Sequence, residues 1–222
     1  MIEKITPTQF HESEGVEDWR VVGDGACAFF PTRSFAESAR LVQGIGELAG
    51  VENGRPSVDM RGGGVTVRLL TTANDYYGMS RSDIDLARRI SALARKNGLA
   101  ADPSAIQGFL VIPGATAIAE VMPFWRAVLG YEPRPDSPAE DLVDPRDRGP
   151  GFGVEQMRAA RSDGGGAIHV AVWVPYEQAQ ARIDAALAAG GRMVRDTFAP
   201  SWWTLADAAG NEVDIATTKG RS

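Results

Sequence analysis

Histidine is nearly absent from this chain. Its 222 residues include two, His11 and His169, so any mechanism built on a cluster of imidazoles is excluded by inventory. Cysteine is scarcer still. Cys27 stands alone, no internal disulfide can form, and a reducing compartment suits the chain. No stretch approaches the roughly 20 apolar residues that cross a bilayer. The opening segment MIEKITPTQF has no apolar run of signal-peptide length. The expectation is a cytoplasmic protein with no membrane partner. Positive charge is also short: 23 basic residues face 29 acidic ones, for a net charge of −6. With no local run of Lys or Arg to reverse that balance, nucleic acid is not an expected partner. The glycine stretches at 62–64, 164–166 and 190–191 lack the phosphate-cradling spacing followed by Lys-Ser or Lys-Thr, so they are turns and a helix cap.

What is present is ordinary material for a buried core, 44% apolar and 23% charged. At roughly 100–200 residues per domain, the length fits one large domain or two small ones. Residues 1–16 show no clear period. Trp19 to Phe30 predicts one or two short strands. Ser34 with Glu37 predicts a capping box, opening a helix with Phe35, Ala39, Val42, Ile45 and Ala49 on its apolar side and Gly50 at its end. Ser57 to Met60 is extended, and Val65, Val67 and Leu69 alternate against Thr66, Arg68 and Leu70, as in a half-buried strand. A second helix opens at Ser80-Arg81-Ser82-Asp83, buries Leu86, Ala87, Ile90, Leu93 and Ala94, and stops at Gly98. The segment 100–104 is a linker.

Beyond the linker the pattern becomes strand, helix and several strands, twice over. The first strand is Ile106 to Ile112, and its helix carries Ile118, Val121, Met122, Trp125, Val128 and Leu129, with Pro123 in the first turn or kinking it. Loops and hairpins fill 131–150, and Phe152 to Met157 is a strand. Ile168, Val170, Val172 and Val174 then alternate with Ala167, His169, Ala171 and Trp173. A helix from Glu177 to Ala189 and two strands, near Trp202–Leu205 and Glu212–Thr217, close the chain. The fold class is α+β, with domains at 1–100 and 105–218.

These residues carry two resemblances. Trp19, Phe30, the Ser34-Phe35 helix start, Glu47-Leu48-Ala49, Val65-Thr66-Val67-Arg68-Leu69 and Asp83-Ile84-Asp85-Leu86-Ala87 together resemble pterin-4a-carbinolamine dehydratase over about residues 17–97. That family dehydrates a hydroxylated tetrahydropterin with a His-His-Pro motif and a later histidine. Here Asn53-Gly54-Arg55-Pro56 stands in the motif's place and Thr72 in that of the later histidine. Arg55 cannot replace an imidazole, because a guanidinium with a pKa above about 12 stays charged. Asp83 is retained, but one carboxylate is not the mechanism. The amino-terminal half is therefore expected to be a structural or interaction module.

Residues 106–217 are similar to the glyoxalase-like, or vicinal oxygen chelate, domain. The resemblance rests on Pro123-Phe124-Trp125-Arg126-Ala127-Val128-Leu129-Gly130-Tyr131, the strand around Ile168-His169-Val170, and Leu205-Ala206-Asp207 through Gly210-Asn211-Glu212. It implies a βαβββ repeat curved around a pocket. Metal-using members place ligands that map to Gln107, His169 and Asp214 or Glu212. One His with carboxylates is thin for zinc, and Gly-Gly-Gly-Ala before the histidine and Ala171 after it depart from the pattern. No metal and no cofactor are expected.

The expected site is an aromatic pocket. His169, Asp214 and Glu155 are the candidate catalytic residues, and Gln107, Phe109, Trp125, Gln156, Trp173, Trp202 and Glu212 the candidate ligand-binding ones. His169 is the residue whose unperturbed pKa suits proton transfer near neutrality. The competing reading for the tryptophans is core packing. It must hold for one of the adjacent Trp202 and Trp203, which point to opposite faces of a strand. For the carboxylates it is an exposed strand surface, and for Cys27 a small buried residue. The expected function is a lyase- or isomerase-type enzyme on a cyclic or carbonyl-bearing metabolite, in a homodimer whose partner is a small molecule. Two alternatives stay open: a non-catalytic binder that sequesters an aromatic compound, and a residual 4a-hydroxytetrahydrobiopterin dehydratase.

Overall fold

The computed structural model describes residues 2–48, 56–157, 168–206 and 212–220, less the side chains of Phe124, Ala127, Val128 and His169. Helices and sheets both build it, and it divides into two compact units. One comprises Met1–Gln107 with Thr218–Ser222, the other Gly108–Thr217.

The first unit begins with a strand and helix that polarity concealed. β1 (Lys4–Ile5) leads into α1 (Pro7–His11), whose N-cap Thr6 and third residue Gln9 close a reciprocal capping box, with Pro at the helix start. β2 (Arg20–Val22), β3 (Gly25–Pro31), β4 (Ser57–Arg61) and β5 (Gly64–Leu69) form an antiparallel sheet in the order β2-β3-β5-β4. β6 (Thr71–Ala73) and β7 (Tyr76–Ser80) join β1 in a second sheet, β1-β7-β6. Val65, Val67 and Leu69 are buried, as their alternation predicts. They meet Leu41 and Ile45 of α2 (Phe35–Gly46), and Ile84, Ala87 and Ile90 of α3 (Arg81–Lys96), in one core with Trp19 and Phe30.

Polar groups in this unit are spent on structure. The buried Trp19 indole donates to the Ser91 hydroxyl at 3.0 Å. Ser34 caps α2 by accepting the Glu37 N–H, but the Glu37 carboxylate does not complete the predicted box. It accepts the Arg33 backbone N–H at 2.7 Å and pairs with the Arg33 guanidinium at 2.7 Å. That ion pair and its hydrogen bonds hold the Glu37 carboxyl at about 2, well below the ordinary carboxylate value. α2 ends at Gly46, and the expected cap at Ala49-Gly50 lies outside the described residues. Phe35, predicted on the apolar side, is 60% exposed. The buried face runs instead through Ser38, Leu41 and Ile45.

In the second unit, β8 (Gly108–Ala115), α4 (Ile118–Leu129), β9 (Glu132–Pro133), β10 (Asp141–Val143), β11 (Gly151–Gly153) and β12 (Glu155–Gln156) form the first half. β13 (Ile168–Trp173), α5 (Tyr176–Ala188), β14 (Arg192–Arg195), β15 (Trp202–Ala206) and β16 (Glu212–Ala216) form the second. They build one sheet in the order β14-β15-β16-β13-β8-β11-β10-β9, with β12 also on β8. The two first strands, β8 and β13, pair antiparallel at its centre. α4 covers Val111, Leu142 and Phe152, and α5 covers Val172, Leu205 and Ile215. Pro123 lies inside α4 rather than in its first turn, where it leaves one carbonyl of the preceding turn without its helical donor.

Candidate active site on one face of the second unit's sheet

Those helix-covered clusters identify one face of the sheet, and register then assigns the other, because residues directly opposite in a ladder share a face. Trp173 pairs with Gly108 on one side and Ala216 on the other, and Ala216 pairs with Trp202. The next row joins Leu110, Ala171, Asp214 and Thr204. In the row after that, position 169 pairs with Ile112, and Glu212 pairs with Ala206. Asp214, Glu212, Trp173 and Trp202 therefore share the face away from the helices, and the backbone of His169 takes its register there. The side chain of His169 lies outside the described residues.

The rows differ in chemistry. Ala171, Ala206, Ala216 and Gly108 keep the surface low, so larger groups stand above it. Thr204, itself buried, donates its hydroxyl to Asp214 Oδ1 at 2.6 Å. A charge-assisted bond this short fixes the carboxylate's orientation. Trp173 is 7% exposed, and Trp202 stacks on Phe198 with ring centroids 4.3 Å apart and an interplanar angle of 15°. Trp203 points the opposite way, into the cluster under α5. Glu155 pairs with Gly114 at the far end of β8 and is exposed.

Other expected residues are placed elsewhere. Phe109, 45% exposed, pairs with Val172 and so shares the helix-covered face. Trp125 packs against Phe152 at 4.9 Å within the cluster under α4. Gln156 turns to the opposite side from Glu155, and its amide donates to the Thr116 and Met157 carbonyls at 3.0 Å each. Gln107 precedes β8 and packs with the first unit. Of the ligand set carried over for a metal, Gln107, His169 and Asp214 or Glu212, the His169 side chain lies outside the described residues, and one Asp214 oxygen is engaged by Thr204. Among the described residues no three His, Cys, Asp or Glu side chains converge as metal ligands.

In the first unit, Thr72 is exposed on β6, and Arg55 lies outside the described residues. Asp83 is fully buried. Its Oδ2 accepts the Ser80 N–H at 2.6 Å, the Ser80 hydroxyl at 2.9 Å and the Thr71 hydroxyl at 2.8 Å. That carboxylate holds the start of α3 against β6.

Comparison with known proteins agrees with both halves. The family profile described as pterin 4 alpha carbinolamine dehydratase matches residues 3–93, and the one described as glyoxalase-like domain matches 110–216. A Nocardia farcinica protein provisionally named pterin-4-alpha-carbinolamine dehydratase is 34% identical over 82 residues, which is 37% of this chain and 84% of the relative. The chain belongs to the pterin-4a-carbinolamine dehydratase family and carries a glyoxalase-like domain. The two domains fit an enzyme-like function on small molecules. Among the described residues no helix is long and apolar enough to cross a membrane.

Sequence reasoning missed three residues of the glyoxalase-like face. Thr204 sits between the two tryptophans and the predicted last strand, and its period-two relation to Trp202 was the available signal. Arg195 and Phe198 had none, because β14 has burial spread without alternation and its register is interrupted.

Proposed function

We propose that this chain is a lyase- or isomerase-type enzyme acting on a cyclic or carbonyl-bearing metabolite, and that its chemistry belongs to the glyoxalase-like domain. The observation that supports this most is the shared register of position 169 with the rows that hold Asp214 and Trp173. An imidazole there moves a proton, Asp214 held by Thr204 orients or receives one, and Trp173 and Trp202 flank a planar substrate. Glu155 and Glu212 are assigned to the same surface as assisting carboxylates. Domains at 1–100 and 105–218, a homodimer and a cytoplasmic setting belong to the same reading.

The dehydratase-family domain is assigned a structural or interaction role, despite the activity in its relative's name. Thr72, in the place of the later histidine, offers a hydroxyl that neither accepts nor releases a proton readily near neutrality. The retained Asp83 spends its Oδ2 on the start of α3, and a single carboxylate is not that family's mechanism.

The test is metabolite profiling. A small-molecule extract from the source cells is incubated with the full chain and with His169→Gln. The reading expects a compound that the wild type converts to an isomer, or to a product smaller by one water, and that His169→Gln leaves intact. Equal conversion by both proteins removes His169 from the mechanism. A compound retained by the wild type and recovered unaltered supports the sequestering binder instead. Direct assay with the carbinolamine should show no dehydration.

A further inference from the structure

One cation on the glyoxalase-like face has no part in the reading above. β14 runs antiparallel to β15 with Arg192 opposite Ala206 and Met193 opposite Leu205; the register then shifts, and Arg195 stands opposite Thr204. Without that irregularity, strict alternation would put residue 195 on the side of Met193 and the α5 cluster. A bulge re-aims the side chain that follows it. Here it brings Arg195 into the row of Thr204 and Asp214, on the face away from the helices.

The surroundings of Arg195 are aromatic rather than acidic. Its guanidinium carbon lies 5.9 Å from the centre of the Phe198 ring, at the outer reach of a cation–π contact. No carboxylate among the described residues forms an ion pair with it. Phe198 in turn stacks on Trp202 and is still 44% exposed. A stacked aromatic pair, with Phe198 exposed and Trp202 half-buried, beside a guanidinium with no carboxylate partner among the described residues offers two kinds of recognition at once: ring stacking, and a planar fork that binds a carboxylate in a bidentate manner.

We propose that Arg195, Phe198 and Trp202 form the recognition end of this face, and that the ligand is a planar aromatic acid. This deepens the functional reading above and rests on it. The ligand's ring lies against the Phe198–Trp202 pair and its carboxylate pairs with Arg195. A hydroxyl or amine at its far end donates to Asp214. Two strand spacings separate Arg195 from Asp214, roughly 10 Å between backbones. A fused bicyclic hydroxy acid held by a long arginine spans that gap, whereas a small aliphatic acid does not. The sign of the charges fixes the orientation, since the anionic end is repelled by Asp214 and drawn to Arg195.

The probe is 6-hydroxy-2-naphthoate, compared with its methyl ester, which has the same rings but no charge. Both are titrated into the full chain by calorimetry. The acid should bind at least tenfold more tightly than the ester. Arg195→Gln should bring the acid to the ester's affinity and leave the ester unchanged. Arg192→Gln, one row away on the same strand, should alter neither by more than about twofold. An acid no tighter than the ester, an Arg195→Gln chain that keeps the acid's affinity, or no binding of either compound overturns the proposal. Trp202→Ala and Asp214→Asn separate this from the wider reading. If they weaken both compounds while Arg195→Gln does nothing, the face stands and the anion assignment falls. If neither variant matters, the face itself is the wrong surface.

Discussion

The two domains use carboxylates in opposite ways. In the dehydratase-family domain, Asp83 is fully buried and accepts three hydrogen bonds from the strand and helix ends around it. Glu37 is held by the residue preceding its helix cap. Each is bonded by its own local chain, Asp83 through Oδ2 alone. In the glyoxalase-like domain, Asp214 sits within a strand, is oriented by a hydroxyl from the neighbouring strand, and shares its face with aromatic side chains. At the helix end the Asp83 Oδ2 is taken up by the local chain while Oδ1 is buried without a hydrogen-bond partner among the described residues, whereas Asp214 is oriented across strands on a sheet face. Burial and donors differ together: Asp83 and Glu37 are buried and bonded by neighbours in sequence, whereas Asp214 is half-buried and bonded from the adjacent strand.

The strongest way to break that contrast is at His169. His169→Gln should lower turnover by about 10²–10⁴-fold, the range general acid–base groups contribute, and leave the thermal unfolding of both domains unchanged. A variant that unfolds earlier and turns over normally would reverse the assignment. Next comes Asp83→Ala, which removes a helix-start acceptor and leaves the Ser80 N–H without the carboxylate it donates to. It should cost the dehydratase-family domain about 3 kcal/mol, measured as a lower urea midpoint in its signals alone. An equal shift in signals from the glyoxalase-like domain would mean that the two do not unfold separately.

Much of this contrast was legible in the sequence, for physical reasons that differ by element. β5 has long, regular alternation, so its buried face follows from period two, while in β13 period two gives the division into faces but Ala171 and Trp173 are the more buried side chains and Ile168 is exposed. Asp83 stood in a clear Ser-x-x-Asp start, and the Trp202–Trp203 pair had to split across a sheet. Trp125 was assigned to the pocket, although its helical spacing from Val121 and Met122 was the signal that it packs under α4. α1 was missed because five residues with one buried side chain give no period; its capping box at Thr6 and Gln9 was the readable feature. Arg195 was beyond reach, since a bulge breaks the very alternation from which a face is inferred.

Two smaller effects sharpen the comparison within the first domain. Trp19→Phe leaves the buried Ser91 hydroxyl without its donor and should cost about 1–2 kcal/mol, read as a lower midpoint with no change in ligand binding. The Glu37 carboxyl titrates at about 2 when folded, against an ordinary 4.5. A depressed carboxyl contributes its stabilisation fully above the ordinary value and loses it as pH falls from about 4.5 toward 2. Wild-type melting temperature should therefore drop more steeply across that window than that of Glu37→Gln. Parallel curves for the two proteins would remove the Arg33 pair as its cause.

The chain's five tryptophans allow the central claim to be tested in one spectrum. Trp19 belongs to the dehydratase-family core, while Trp125, Trp173, Trp202 and Trp203 belong to the glyoxalase-like domain. Indole N–H signals of the full chain are followed as 6-hydroxy-2-naphthoate and its methyl ester are added. The account predicts that Trp202 and Trp173 move, that Trp203 moves less, and that Trp19 stays still. A shift at Trp19 with Trp202 and Trp173 unmoved would place the ligand in the other domain and contradict it.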